Sequence, residues 1–258
     1  MTVKLHHRID GRGPRVTLLH AVGIDLTFLD AVAGTLAKEF TVLRADLRGH
    51  GQSPYQPAAG LADYADDVHA LLTELNFAPC AVAGFAFGGM VTQALAVRYP
   101  QDVRAIVIAS CPSAQTPESA KVVAQRGIDA KRDGIGSILD VTMRRWFNDA
   151  FVDTGGDAAV RARLLSTDVR GWADAWTAMA TIDTAPRLKE IAVPALCLVG
   201  ERDKSSPPPV VQKIADAIPG ARFAVIPGAP HMPFIEQPAE TAKVVGDFLR
   251  SALSHTSP

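Results

Sequence analysis

The chain has 258 residues, of which 48% are hydrophobic and 21% charged, the composition of a globular protein with one large domain or two small ones. Its 26 Lys and Arg against 27 Asp and Glu leave a formal charge of −1. That balance excludes wholesale disorder and the charge excess that drives sequence-independent binding to nucleic acid or an anionic membrane. The N-terminus lacks the apolar stretch of a signal peptide, and no run approaches the roughly 18 residues of a membrane span, so a cytoplasmic protein is expected. Cys80, Cys111 and Cys197 each sit in an apolar run without CxxC spacing and read as buried, reduced core thiols.

Short apolar runs then alternate with amphipathic segments. Val16–Leu19 is followed by a helical pattern over Phe28–Phe40, Thr41–Asp46 by one over Leu61–Leu75, and Cys80–Ala83 by one over Phe87–Arg98. Val103–Ala109 completes four predicted strands, and apolar strands separated by helices imply a mostly parallel sheet covered on both faces. From Pro112 to about Leu188 the strand signal disappears. Helical patterns broken at Asp133-Gly134 and over Asp153–Asp157 predict an insertion across the C-terminal edge of the sheet, where open α/β sheets bind ligands. The alternation resumes with Ala195–Val199, a helix after Pro207-Pro208-Pro209, Phe223–Ile226, and a last helix from Ala239 to about Leu253. The expected organisation is a core of residues 1–111 and 190–258 under a helical cap of residues 112–189, with Ser254–Pro258 as a frayed tail.

The chemistry-bearing segments lie at strand ends. A strand–turn–helix with G-x-S-x-G spacing is the elbow that lifts a nucleophilic serine above a sheet. Here the spacing is Gly84-x-Ala86-x-Gly88, and the nucleophile position carries a methyl group, which cannot attack a carbonyl. A phosphate loop does not fit, because Met90-Val91 follows Gly89 where Lys and Ser/Thr are needed; a dinucleotide fingerprint G-x-G-x-x-G is also absent, since Gly11-x-Gly13 precedes its strand instead of following it. Asp203 lies just past a late strand and His231 in the loop past the last one. The order of nucleophile position, acid and base suits a triad in which His accepts and returns a proton while Asp fixes its tautomer. The backbone N–H groups of Val22, after the first core strand, and of Phe87 are candidate oxyanion donors. His20 reads as a brace for the Val22 loop. Asp46-Leu47-Arg48-Gly49-His50-Gly51-Gln52-Ser53 reads as a turn held by its own polar groups, which leaves His50 and Ser53 outside the candidate site.

At these residues the sequence resembles the α/β-hydrolase superfamily and, within it, the 3-oxoadipate enol-lactonase-like group. The resemblance spans essentially the whole chain. It is carried by the Asp46–Ser53 turn, the Gly84–Met90 elbow, Arg145-Trp146-Phe147, Gly200-Glu201-Arg202-Asp203, and His231-Met232-Pro233 with Glu236-Gln237-Pro238. It implies an α/β-hydrolase fold and hydrolysis of a small lactone or carboxylic ester without metal or cofactor. Its Ser–His–Asp triad falls on Ala86, His231 and Asp203. The absence of Asp at position 86 argues against a haloalkane or epoxide hydrolase, and the missing glycine-rich loop after His20 against a C–C hydrolase.

Ala86 departs from the family pattern, and two explanations compete. The favoured one is a serine-to-alanine form of an active hydrolase, since the elbow glycines, Asp203 and His231 stand together. The other is a natural ligand-binding protein without catalysis, or a cofactor-free enzyme that uses only the His231–Asp203 pair. The pocket is expected to be walled by Val22, Phe85 or Phe87, Met232 and cap residues including Trp146; Trp172 and Trp176, four apart on one helix face that Met179 extends, fit pocket lining and a packing stripe between cap and body equally well. Arg144 and Arg145 point about 100° apart on a helix, so only one readily faces the pocket. The resemblance favours Arg145, whose planar fork would match a substrate carboxylate. The expected partner is then a small-molecule lactone or ester, with the chain a monomer or homodimer.

Overall fold

Seven strands form one sheet: β1 (His7–Asp10), β2 (Arg15–Leu19), β3 (Thr41–Ala45), β4 (Cys80–Phe85), β5 (Val103–Ala109), β6 (Ala195–Gly200) and β7 (Arg222–Ile226). Their order across the sheet is β1-β3-β2-β4-β5-β6-β7. Only β1 runs antiparallel to its neighbour, pairing with β3 from His7 opposite Ala45 to Asp10 opposite Val42. This computed structural model describes residues 1–254; residues 255–258 of the expected tail lie outside the described residues.

Every residue of β4 and β6 is buried, as central strands with helices on both faces require. The first helices are α1 (Asp30–Leu36), α2 (Leu61–Glu74) and α3 (Phe87–Arg98). Between β5 and β6 come α4 (Pro117–Asp133), α5 (Leu139–Trp146), α6 (Asp149–Asp153), α7 (Ala158–Leu165) and α8 (Val169–Ala180). The chain ends with α9 (Pro208–Ala217), α10 (Pro233–Glu236) and α11 (Pro238–Leu253). From β2 the chain steps to β3 on one side and then returns to β4 on the other. The loops leaving β2 and β4 therefore diverge, and a crevice opens at their C-terminal ends, the topological switch point of an open α/β sheet.

The helices between β5 and β6 roof that crevice. In α8, Gly171 packs backbone to backbone against Gly49 after β3, and Trp172 fills the space beside Gly23 after β2. Asn148 fastens the other side, donating through Nδ2 to Gly228 O (2.9 Å) and Glu236 Oε1 (2.7 Å). α4 lies on α8 at Gly127, where a Cβ would stand 3.0 Å from Ala173 O.

Two local expectations are corrected. β1 was not anticipated, because His7-Arg8-Ile9-Asp10 is a mostly exposed edge without an apolar pattern. The pattern over Phe28–Phe40 divides into a 3-10 turn at Leu26–Leu29, capped by the Asp25 carboxylate on Thr27 N–H (2.9 Å), and the shorter α1. All three cysteines are free and buried. Among the described residues no helix is long and apolar enough to cross a membrane.

Candidate active site

Ala86 joins β4 to α3 with φ 50° and ψ −109°, a backbone conformation that side-chain-bearing residues rarely adopt. The surroundings enforce it. Ala86 N–H donates to Ala109 O (2.8 Å), and Gly88 N–H donates to His20 O (3.1 Å). The turn is also closed too tightly for side chains on either flank: a Cβ on Gly84 would meet Gly88 O and Thr92 Oγ1, and one on Gly88 would meet Leu19 O. This is the physical reason for the two glycines around position 86.

Asp203 and His231 come from the loops after β6 and β7, so their meeting follows from adjacent parallel strands. His231 Nδ1 lies 3.0 and 2.9 Å from the two Asp203 carboxylate oxygens, and both residues are buried. Asp203 Oδ1 also accepts the N–H groups of Ser205 (2.7 Å) and Ser206 (2.8 Å). Those bonds fix the carboxylate, and the carboxylate in turn fixes the imidazole with its proton on Nδ1. Nε2 makes no hydrogen bond to a described residue. Such an imidazole is oriented to take a proton at Nε2.

The loop after β2 is held with equal definition. His20 accepts the Leu47 N–H at Nε2 (2.9 Å), so its Nδ1–H donates to Ala21 O (2.7 Å). Burial pushes the His20 pKa down to about 4, which keeps the brace neutral. With Gly88 tied to His20 O, Val22 and Phe87 line the same cavity, and the N–H group of neither donates to a described residue. The Asp46–Ser53 segment is internally bonded: Asp46 accepts Leu26 N–H and Gln52 N–H, each at 2.8 Å, and Ser53 Oγ donates to Asp46 O (2.7 Å). His50 is buried beside His20, its pKa pushed down to about 3 by burial first and by the neighbouring ring second.

A cavity of about 850 Å³ opens above the elbow. Its floor includes Val22, Ala86, Phe87 and His231, and its roof Arg126, Arg145, Trp176 and Met179. The remaining expected wall residues are elsewhere. Trp146 and Trp172 are fully buried with ring centroids 6.3 Å apart, packed between the roof and the Gly23 loop. Phe85 lies beneath the turn against Phe234 at 4.7 Å, and Met232 is buried with its N–H donating to Trp146 O (3.2 Å). None of these residues lines the cavity. Arg144 points outward and pairs with Asp153 at 2.7 Å.

Sequence reasoning missed Arg126. Its guanidinium lies 5.1 Å from the centre of the Trp176 ring. Burial, aided by the positive charge of Arg145, lowers its pKa from the usual guanidinium range. Among the described residues neither Arg126 nor Arg145 pairs with a carboxylate. The neighbouring Gly127 was a usable signal, since a small residue in an amphipathic helix marks the face pressed against a partner and so the rim beside it.

The chain matches the alpha/beta hydrolase family over residues 18–244. It belongs to that family. Among relatives of this hydrolase is a 3-oxoadipate enol-lactonase of Acinetobacter baylyi, 25% identical over 245 residues that cover 92% of this chain and 89% of the relative. A solved enol-lactonase from Burkholderia xenovorans LB400 superposes with a TM-score of 0.90 at 30% identity, covering 96% of each chain. A thermophilic esterase from Thermogutta terrifontis, solved with malate bound, gives 0.91 at 29% identity, covering 98% of this chain and 95% of its own.

Proposed function

We propose that this hydrolase scaffold serves a small carboxylic ester or lactone with an acidic group, through a serine-type site whose nucleophile position is occupied by Ala86. One observation carries the reading: a His231–Asp203 pair bonded at 2.9 Å shares a cavity wall with a positive-φ elbow residue. In the active form a serine at position 86 gives its proton to His231 Nε2 and attacks the carbonyl. The oxyanion then forms against the Val22 and Phe87 N–H groups. His231 returns the proton to the leaving alkoxide, and water repeats the sequence on the acyl intermediate. The names of the enol-lactonase and esterase relatives support this bond class. The two unpaired roof arginines support an anionic group at the far end of the substrate.

With alanine at position 86 the covalent route is closed, so the chain as it stands binds such compounds without acyl transfer. The test compares it with Ala86→Ser on a panel of activated esters and lactones, with and without a carboxylate. Triad members act as a unit, so the serine is expected to raise kcat by at least about a thousandfold. Equal rates in the two forms would overturn the reading.

A further inference from the structure

Removing the nucleophile from an acyl-transfer site leaves a definite set of parts. His231 keeps a free Nε2 behind a Nδ1 held by Asp203 at 2.9 and 3.0 Å. Buried Val22 and Phe87 keep backbone N–H groups that donate to no described residue. Ala86 contributes only a methyl to the cavity wall between strand and helix. No other hydroxyl takes the lost role. Several serines line the cavity, yet none hydrogen-bonds Nε2, and the buried hydroxyls of Ser110 and Ser205 have no hydrogen-bond partner among the described residues. A base, two donors for an oxyanion and no nucleophile are the requirements for moving a proton on carbon next to a carbonyl.

We infer that the chain as it stands catalyses proton transfer at the carbon adjacent to a bound carbonyl group. The carbonyl oxygen accepts the Val22 and Phe87 N–H groups, and the adjacent C–H points at His231 Nε2. That C–H bond breaks, and its proton goes to Nε2. Its electron pair becomes the C=C bond of an enolate as the carbonyl π pair moves onto oxygen. Asp203 stabilises the imidazolium, whose Nε2 proton trades with solvent water before a proton is given back to carbon. Given back at the original carbon, a solvent proton completes exchange; given to the far end of a conjugated enolate, it yields a double-bond isomer. No other reactant is consumed. The substrate class is a lactone, thioester or ketone whose adjacent C–H is activated by a β,γ double bond. The inference rests on the same cavity as the hydrolytic reading and not on the hydrolysis.

The probe is α-angelica lactone, a β,γ-unsaturated lactone that can isomerise through its enolate or hydrolyse to levulinate. Incubated with the unmodified chain in heavy water and followed by NMR, it should take up deuterium beside the carbonyl and form the conjugated isomer faster than in buffer. His231→Gln should lower the protein-dependent rate by about 10²–10⁴-fold, and Asp203→Asn should lower it while preserving thermal unfolding. Should His231→Gln fail to fold, folded Asp203→Asn decides: a protein-dependent rate equal to that of the unmodified chain overturns the inference. It is also overturned by exchange no faster than buffer, by exchange that survives in folded His231→Gln, or by levulinate without deuterium in the recovered lactone. Failure of the hydrolytic reading is separate, since it is read with saturated esters on Ala86→Ser.

Discussion

His20 and His50 lie beside the loop after β2 with ring centroids 5.4 Å apart. Their buried surroundings set a pH dependence of stability. In the unfolded chain each titrates near its ordinary 6.5, whereas in the fold the values fall to about 4 and about 3. Between those limits the unfolded state binds more protons, so unfolding is favoured as pH drops. The stability is fully present above about pH 6.5 and is lost on acidification towards pH 4 and then 3. Each histidine contributes up to about 1.4 kcal/mol per pH unit in its window. In urea titrations from pH 7 to 4, His50→Leu should shallow this slope by about one proton. An unchanged slope would show that His50 is protonated in the fold. At this scale Asp203, His231 and the Ala86 turn were legible, because their positions follow from strand ends and glycine spacing. Arg126 was not legible as a site residue, since a charge on an amphipathic helix has the same pattern whether it meets solvent or a ligand.

Among the elements, the link between the turn after β3 and α2 depends on a buried ion pair. Arg48 donates through Nε and Nη2 to the Asp67 carboxylate at 2.5 and 2.8 Å, with both side chains almost wholly inaccessible. Arg48 Nη1 donates to Pro57 O, Nη2 also lies within reach of Met1 O and Asp63 O, and Asp67 Oδ1 also accepts Val3 N–H at 2.8 Å. Breaking one partner leaves a charge buried and unpaired, so Asp67→Ala should destabilise by about 3–5 kcal/mol in chemical denaturation. Replacing both partners by Met and Leu should recover much of that loss, since no orphan charge remains. A cost below about 1 kcal/mol for Asp67→Ala would mean that water reaches Arg48. The parallel strands and helix α3 were readable because burial on both faces requires continuous apolar runs. β1 was not, because an exposed antiparallel edge needs only backbone pairing and tolerates polar residues. Tryptophans four apart share a helix face, but the pattern does not say whether that face meets a cavity or the sheet. Here it divides: Trp176 reaches the cavity, and Trp172 packs on the Gly23 loop.

Taken whole, the molecule carries a net charge of −1, and surface arginines such as Arg98, Arg144, Arg170 and Arg187 are paired with carboxylates. Long-range steering of an anion is therefore weak, and selection for charge must occur inside the cavity. There Arg126 and Arg145 lack acidic partners, and Arg126 is half-buried, where a substrate carboxylate interacts more strongly than in bulk water. In the Ala86→Ser form, Arg145→Lys is expected to raise KM for an acidic lactone and scarcely alter a neutral one of similar size. The ammonium keeps the charge but loses the two-pronged geometry. Arg126→Lys should act in the same direction, with an added loss of packing on the Trp176 ring. A charge-assisted hydrogen bond is worth about 1.5–3 kcal/mol, so the acidic substrate should lose roughly ten- to a hundredfold in kcat/KM. Raising the salt concentration should reproduce little of the Arg126 part of this contrast, because Arg126 is half-buried and the net field is small. If acidic and neutral lactones suffer alike, or if salt abolishes the difference, the two arginines serve the packing of the roof and the acidic-substrate reading falls.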